Sequence, residues 1–167
     1  MNVYIVRHGD ARAIGGAITS DSERPLSPQG ESDIRLMGQV LARMESATPT
    51  LISSPLLRAR MTALLLGEPY GTLPAPQLWD ELAPGVQFKA VVSRLQSTGA
   101  SSVVLVGHQP DMTHLIAFLI ADAATEIVTP PGAVASLMLP RGAGAGAARL
   151  QWLLTPDLVR ALIPTKG

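Results

Sequence analysis

The chain repeats one order, in which a short apolar segment is followed by a stretch with helical spacing. Three such segments, Val3 to Val6, Thr50 to Ser53 and Val103 to Val106, have the length and β-branched content of buried strands. Leu78 to Leu82 predicts a further short strand that runs into a loop. Strands that alternate with helices pack as a sheet with helices on both faces. This order restricts the chain to the α/β class.

The starts of the helices are marked by prolines that follow the strands. Ser27-Pro28 and Ser54-Pro55 each offer an N-cap serine and a first-turn proline, and Pro110 opens a helix over Met112 to Ile120. A further helix is predicted over Phe88 to Leu95. The helix after Ser27 carries apolar side chains at helical spacing: Ile34, Met37, Leu41 and Met44. Each strand therefore leads into an amphipathic or buried helix.

The last third of the chain departs from this alternation. Val134 to Leu139 and Leu150 to Leu154 predict two strands, which the stretch from Gly142 to Ala148 joins as an antiparallel pair. The predicted fold is a three-layer α/β/α sandwich with a mostly parallel, mixed sheet at the core. Because 47% of the 167 residues are apolar and no boundary or repeat is visible, we expect one domain over residues 1–167.

The composition excludes several classes of function. The chain has no cysteine, so thiolate nucleophiles, disulfides and cysteine-ligated metals are absent. Thirteen basic and thirteen acidic side chains cancel, so no overall field favours nucleic acid or an anionic membrane. The longest apolar run, Leu115 to Ala121, is far shorter than the roughly 20 residues of a membrane span, and the N-terminal run is too short for a signal peptide. We expect a cytoplasmic protein whose anion site, if any, is local.

Basic side chains follow three of the predicted strands. Arg7 and His8 come directly after the first strand, Arg58 lies one turn into the helix after the second, and His108 follows Val103 to Val106. In open α/β sheets the ligand binds at the carboxyl ends of the strands, so these four side chains can converge. Two guanidinium groups, two imidazoles and nearby helix N-termini form a site suited to phosphate.

His8 is the best candidate for a nucleophile at that site. An imidazole between two arginines favours its neutral form, whose ring nitrogen can attack phosphorus. His108 can donate a hydrogen bond to the equatorial oxygens of the transferring phosphoryl group. The polar segment from Asp10 to Arg24 predicts a long loop, which we expect over the site. This chemistry requires neither a metal nor another cofactor.

Four segments resemble the motifs of one family. Arg7-His8-Gly9 is similar to the RHG signature of the histidine phosphatase (phosphoglycerate-mutase-like) superfamily. The set RHGDA at 7–11, RPLSPQG at 24–30, SPLLRA at 54–59 and VVLVGHQP at 103–110 resembles the short SixA-type phosphohistidine phosphatases. The resemblance implies that His8 carries the phosphoryl group in an enzyme intermediate. It also implies that three side chains bind that group: Arg7, Arg58 and His108.

The same resemblance bears on the general acid and on the substrate. The acid of the superfamily lies in the segment that resembles Leu78 to Gly85, which implies Glu81, with Asp80 as the alternative. A phosphoramidate leaving group is already reactive, so the role can also be vacant. Phosphoglycerate mutases carry helical insertions that cover the substrate, and this chain is too short to hold them. An open site is therefore implied, which suits a phosphohistidine borne by a protein.

For the remaining candidate residues we expect a structural role or a surface position and no direct part in the chemistry. We expect Arg60 to lie on the helix surface and Arg24 to brace the long loop. His114 is not at metal-ligand spacing from His108, so we expect no metal site. A serine hydrolase would place its nucleophile directly after His108, where this chain has Gln109. That class is excluded.

We therefore expect a metal-independent phosphatase that dephosphorylates a histidine phosphotransfer protein through phospho-His8. The partner would be a phosphohistidine protein, with no role for nucleic acid or membrane. Two alternatives stay open. The same chemistry can act on small phosphoesters or phosphoanhydrides, or the chain can bind phosphohistidine without turnover.

Overall fold

The computed structural model describes residues 1–71, 74–121 and 126–163. Its strands are β1 (Asn2–Arg7), β2 (Thr50–Ser53), β3 (Gln77–Leu78), β4 (Ser102–Gly107), β5 (Val134–Met138) and β6 (Arg149–Leu154). Its α-helices are α1 (Pro28–Met44), α2 (Leu57–Gly67), α3 (Phe88–Ser97), α4 (Asp111–Ala121) and α5 (Pro156–Leu162). In these three ranges, none of the helices is both long and apolar enough to cross a membrane.

The strands form one mixed sheet in the order β3-β2-β4-β1-β5-β6. The pairs β1–β4, β2–β4 and β2–β3 are parallel, whereas β5 runs antiparallel to both β1 and β6. The expected mostly parallel, mixed sheet is confirmed. The last two strands form the predicted antiparallel pair, because a short connection can join only antiparallel neighbours.

Helices cover both faces of the sheet, as alternate residues of β1 illustrate. Val3 and Ile5 pack in a cluster with apolar side chains of α3 and α4. Tyr4 and Val6 pack on the other side, against α1, α2 and Val159 of α5. Because both faces are buried, the central strands must be apolar throughout, and this explains their continuous hydrophobic runs. The three-layer α/β/α sandwich is confirmed.

Two elements differ from the sequence prediction. β3 has only two residues, and the predicted strand over Leu78 to Leu82 gives way to a 3₁₀ turn at Asp80–Leu82. The Trp79 side chain is buried in the core, so the chain turns inward there instead of continuing along the sheet edge. Helix α5 was not predicted from the sequence. Its start carries the same signal as that of α1, since the Thr155 hydroxyl accepts from the Leu158 N–H and Pro156 follows.

The parallel strands bring three chain segments to the same edge of the sheet. β1 and β4 end in register, with Arg7 opposite Gly107. The His8 N–H donates to the Gly107 carbonyl at 3.0 Å, and the Ser54 N–H donates to the Val106 carbonyl at 2.9 Å. The residues that follow β1, β2 and β4 therefore meet at the carboxyl edge.

Candidate active site

The structure brings the four basic side chains predicted for the site into one pocket. The pocket has a volume of about 290 Å³, and Arg7, His8, Arg58 and His108 all line it. The two imidazole rings lie with their centroids 5.0 Å apart. Arg58 and His108 are only 5% and 3% exposed, whereas His8 is half-buried and open to the pocket. Two cationic side chains and two neighbouring, mutually tilted imidazoles thus form a compact site for an anion.

The hydrogen bonds of His8 define its tautomer. Its Nδ1 lies 2.7 Å from the Gly9 carbonyl oxygen and must donate to it. Its Nε2 accepts from the Nε–H of Arg58 at 3.2 Å, so Nε2 holds a lone pair. Burial lowers the pKa of His8 to about 4, and the positive charges of Arg58 and Arg7 act in the same direction. At neutral pH the ring is uncharged, and its Nε2 lone pair faces the arginine.

His108 is held by the neighbouring strand. Its Nε2 lies 2.8 Å from the Ser54 hydroxyl at the end of β2. Burial lowers the pKa of His108 to about 3, with smaller effects from the nearby His8 and Arg58. Its Nδ1 is buried and has no hydrogen-bond partner among the residues that the structure describes. The same is true of the Arg7 Nε, so two residues that line the pocket each have a buried nitrogen without a partner in the described part of the chain.

Arg58 is oriented by the loop between β1 and α1. Its Nη1 donates to the Asp21 carbonyl at 2.7 Å, and its Nη2 donates to the Asp21 carboxylate at 3.0 Å. Arg24 binds the other Asp21 oxygen at 3.0 Å and the Arg12 carbonyl at 2.6 Å. The loop therefore contacts the site as predicted, and Arg24 braces it. Asp21 was not identified from the sequence, although its position three residues before Arg24 is a possible ion-pair spacing.

Close packing around Gly9 explains why this position and Gly30 are glycines. A Cβ on Gly9 would lie 2.8 Å from the Ile34 side chain, and a Cβ on Gly30 would lie 2.2 Å from the Asp10 carbonyl oxygen. The first turn of α1 thus presses directly on the segment after β1. The Gly9 N–H donates to the buried Thr62 hydroxyl of α2 at 3.1 Å. Packing by α1 and α2 fixes the backbone that carries His8.

The structure does not bring Glu81 to this pocket. Both Glu81 oxygens accept from Nη1 of Arg94, at 2.8 and 2.6 Å, and the Arg94 guanidinium lies 4.3 Å from the centre of the Trp79 ring. Its own backbone N–H and Arg94 hold the pKa of Glu81 below its usual value, so it keeps no proton to donate at neutral pH. Neither Glu81 nor Asp80 is among the lining residues, and this segment contributes Pro84 instead. The geometry does not support Glu81 as the general acid.

Arg24 is a fifth basic residue that lines the pocket, whereas the remaining basic candidates lie outside it. Arg60 and His114 are exposed on α2 and α4, and neither is among the residues that line the pocket. In the part of the chain that the structure describes, no group of three or more histidine or carboxylate side chains is placed to hold a metal ion. The arrangement is that of an anion-binding pocket lined by a neutral imidazole.

Comparison with known sequences points to one family. Residues 3–83 match the family model of the histidine phosphatase superfamily, branch 1. The phosphohistidine phosphatase SixA of Escherichia coli is 31% identical over 159 residues, which are 93% of this chain and 94% of SixA. An uncharacterised protein of Picosynechococcus sp. is 38% identical over 116 residues, which cover 67% of this chain and 68% of that protein.

A solved structure extends the similarity to the fold. The protein histidine phosphatase SixA complexed with tungstate superposes with a TM-score of 0.82 at 31% identity. The alignment covers 94% of this chain and 98% of the SixA chain. The similarity therefore includes the antiparallel β5–β6 pair as well as the strands that carry the pocket.

Proposed function

Because the chain belongs to the histidine phosphatase superfamily, we propose that it is a phosphohistidine phosphatase in which His8 is the nucleophile. The observation that carries this proposal is the state of the His8 ring. Nδ1 is committed to the Gly9 carbonyl, and the Nε2 lone pair lies 3.2 Å from an arginine that can bind a phosphoryl oxygen. A neutral, oriented ring nitrogen beside a guanidinium is what attack on phosphorus requires.

In the first step, Nε2 of His8 attacks the phosphorus of the substrate phosphohistidine. The bond from phosphorus to the substrate ring nitrogen breaks, and its electron pair stays on that nitrogen, which takes a proton from water. The Nδ1 proton of His8 stays on the ring and remains hydrogen-bonded to the Gly9 carbonyl. Arg7, Arg58 and His108 bind the phosphoryl oxygens and stabilise the charge that spreads over them in the transition state.

In the second step, water attacks the phosphorus of phospho-His8. The bond from phosphorus to Nε2 breaks, its electron pair returns to the ring, and a proton of the attacking water passes to solvent. The products are inorganic phosphate and the neutral His8. The low pKa of His8 favours this return, because the free ring does not retain a second proton at neutral pH.

A protein-borne substrate fits the shape of the site. Asp10, Pro84 and Gln109 line the pocket and are exposed, so its mouth opens directly to solvent. We propose a histidine phosphotransfer protein or a similar phosphohistidine protein as the cytoplasmic substrate. The named activity of the SixA relative, which covers nearly the whole chain, supports this choice over small phosphoesters.

A comparison of substrates tests the proposal. The purified chain is incubated with a phosphohistidine protein and with phenyl phosphate, and the release of inorganic phosphate is measured. We expect a clearly higher kcat/KM for the phosphohistidine protein. A preference for phenyl phosphate would favour a small-molecule phosphatase, and stoichiometric binding without release of phosphate would favour a binding module.

We also expect activity to be independent of divalent metal ions. The guanidinium groups of Arg7 and Arg58 line the pocket and repel cations. The charge on the phosphoryl group is therefore stabilised by side-chain hydrogen-bond donors and not by a metal ion. Treatment with EDTA should change kcat by less than about twofold. Loss of activity in EDTA that zinc or magnesium restores would contradict the mechanism.

A further inference from the structure

Gln109 lies at the boundary between the phosphate pocket and a neighbouring groove. We propose that its side-chain amide N–H contacts the imidazole ring of the substrate phosphohistidine and makes Gln109 a determinant of leaving-group specificity. This inference rests on the proposed function, since it concerns the substrate of the same site. It gives a role to the residue that directly follows His108.

The position of Gln109 places it where the substrate leaves the pocket. Gln109 lines both the pocket that contains His8 and a second groove of about 460 Å³, which also includes Val128. Arg7 is the other residue that both share. The Val128 side chain in the groove is 83% exposed. A substrate whose phosphoryl group lies on His8 and whose remainder lies in the groove must pass Gln109.

Two threonines contact the oxygen end of the Gln109 amide. The Thr129 hydroxyl lies 2.9 Å from the Gln109 Oε1, and the Thr113 hydroxyl lies 3.0 Å from it. Both threonines are buried, and their hydroxyl oxygens are 2.5 Å apart. In this structure the amide oxygen faces the two hydroxyls and the protein interior. The amide nitrogen, with its two hydrogens, is the end left for the pocket.

The reaction geometry puts the leaving group on the side of Gln109. In an in-line displacement the leaving group lies opposite the attacking His8 Nε2, which means at the solvent mouth of the pocket. Three exposed residues line that mouth, and Pro84 has no side-chain donor. The Asp10 carboxylate is a hydrogen-bond acceptor and already accepts from the Ser27 hydroxyl at 2.5 Å. Gln109 is therefore the neutral, oriented donor at the mouth.

A donor at this point assists the departure of an imidazole. When the bond to phosphorus breaks, the ring takes up an electron pair that is shared between its two nitrogens. The nitrogen remote from phosphorus becomes a stronger acceptor, so a hydrogen bond to it strengthens in the transition state. A leaving group without a second nitrogen receives no such help.

The test compares two substrates that share the phosphorus–nitrogen bond but differ in the ring. Free phosphohistidine has the imidazole, whereas phosphoramidate releases ammonia. For Gln109→Leu we expect the ratio of kcat/KM for phosphohistidine to that for phosphoramidate to fall about tenfold from its wild-type value. Gln109→Glu keeps an oxygen for the threonines but loses the donor, so its ratio should fall as well. Gln77→Leu, on the exposed edge strand β3, is the matched control.

The outcomes separate the inference from the function on which it rests. The Thr129 carbonyl accepts from Nη1 of Arg7 at 2.9 Å, so an equal loss on both substrates would mean that Gln109 acts on the phosphoryl group through these two residues. That result, or an unchanged ratio, overturns the inference. If the wild-type chain cleaves phenyl phosphate but not phosphohistidine, the proposed function fails and the inference fails with it. A ratio that falls in both Gln109 variants and not in Gln77→Leu supports the inference.

Discussion

Replacement of His8 by alanine is expected to lower kcat by about 10³-fold or more, because the variant has no nitrogen to receive the phosphoryl group. His8 lines the pocket and belongs to neither hydrophobic cluster, so the fold should be retained. The measurement is the steady-state release of phosphate from phenyl phosphate, with circular dichroism to check the fold. Near wild-type rates in this variant would disprove the assignment of His8 as the nucleophile.

His114→Ala provides a matched control for this experiment. His114 is an exposed imidazole on α4, outside the pocket, and its loss should leave the rate with the small substrate unchanged. A positive test accompanies the loss of rate. After rapid mixing with a phosphodonor, the wild-type chain should carry an acid-labile, base-stable phosphoryl group, and His8→Ala should carry none.

Replacement of Arg58 by lysine is expected to lower kcat by about 10²-fold, even though the positive charge is kept. The guanidinium contacts the His8 ring through Nε and Asp21 through both Nη atoms. A lysine ammonium is a single point and cannot hold the ring and the loop while also binding a phosphoryl oxygen. The expected signature is a fall in kcat larger than any rise in KM, because the lost contact strengthens in the transition state.

Arg60→Lys is the control for Arg58→Lys. Arg60 lies two residues further along α2, where side chains point to a different face, and it is exposed. We expect its kcat to stay within about twofold of the wild type. Equal effects of both substitutions, or a larger effect of Arg60→Lys, would contradict the assignment of Arg58 as the arginine that binds the phosphoryl group.

The main parts of the fold were predictable because their physical causes are local in the sequence. A strand that is buried on both faces must be apolar throughout, and Val3 to Val6 and Val103 to Val106 show this directly. Ser27 and Pro28 mark the start of α1 by a cap that needs no distant partner. The meeting of His8 and His108 follows from parallel pairing, since neighbouring parallel strands end at the same edge.

The elements that were missed depend on contacts between distant parts of the chain. The turn that ends β3 is set by the burial of Trp79 in the core. Glu81 lies within the segment predicted to carry the acid, but the partner of its carboxylate is Arg94 on α3. A polar side chain in a loop can form ion pairs of similar energy with many partners, so the local sequence does not predict which partner it contacts.

The sequence alone determined the α/β class, the order of the strands along the chain and four of the five basic residues that line the pocket, because periodicity, caps and strand ends are properties of short segments. Only the tertiary structure decided how those residues act. Asp21 holds Arg58 across the loop, Arg58 and Gly9 select the His8 tautomer, and two threonines turn the Gln109 amide. The contacts of Arg58 with Asp21 and His8, and that of Thr129 with Gln109, join residues far apart in the chain, and their geometry exists only after both hydrophobic clusters have packed.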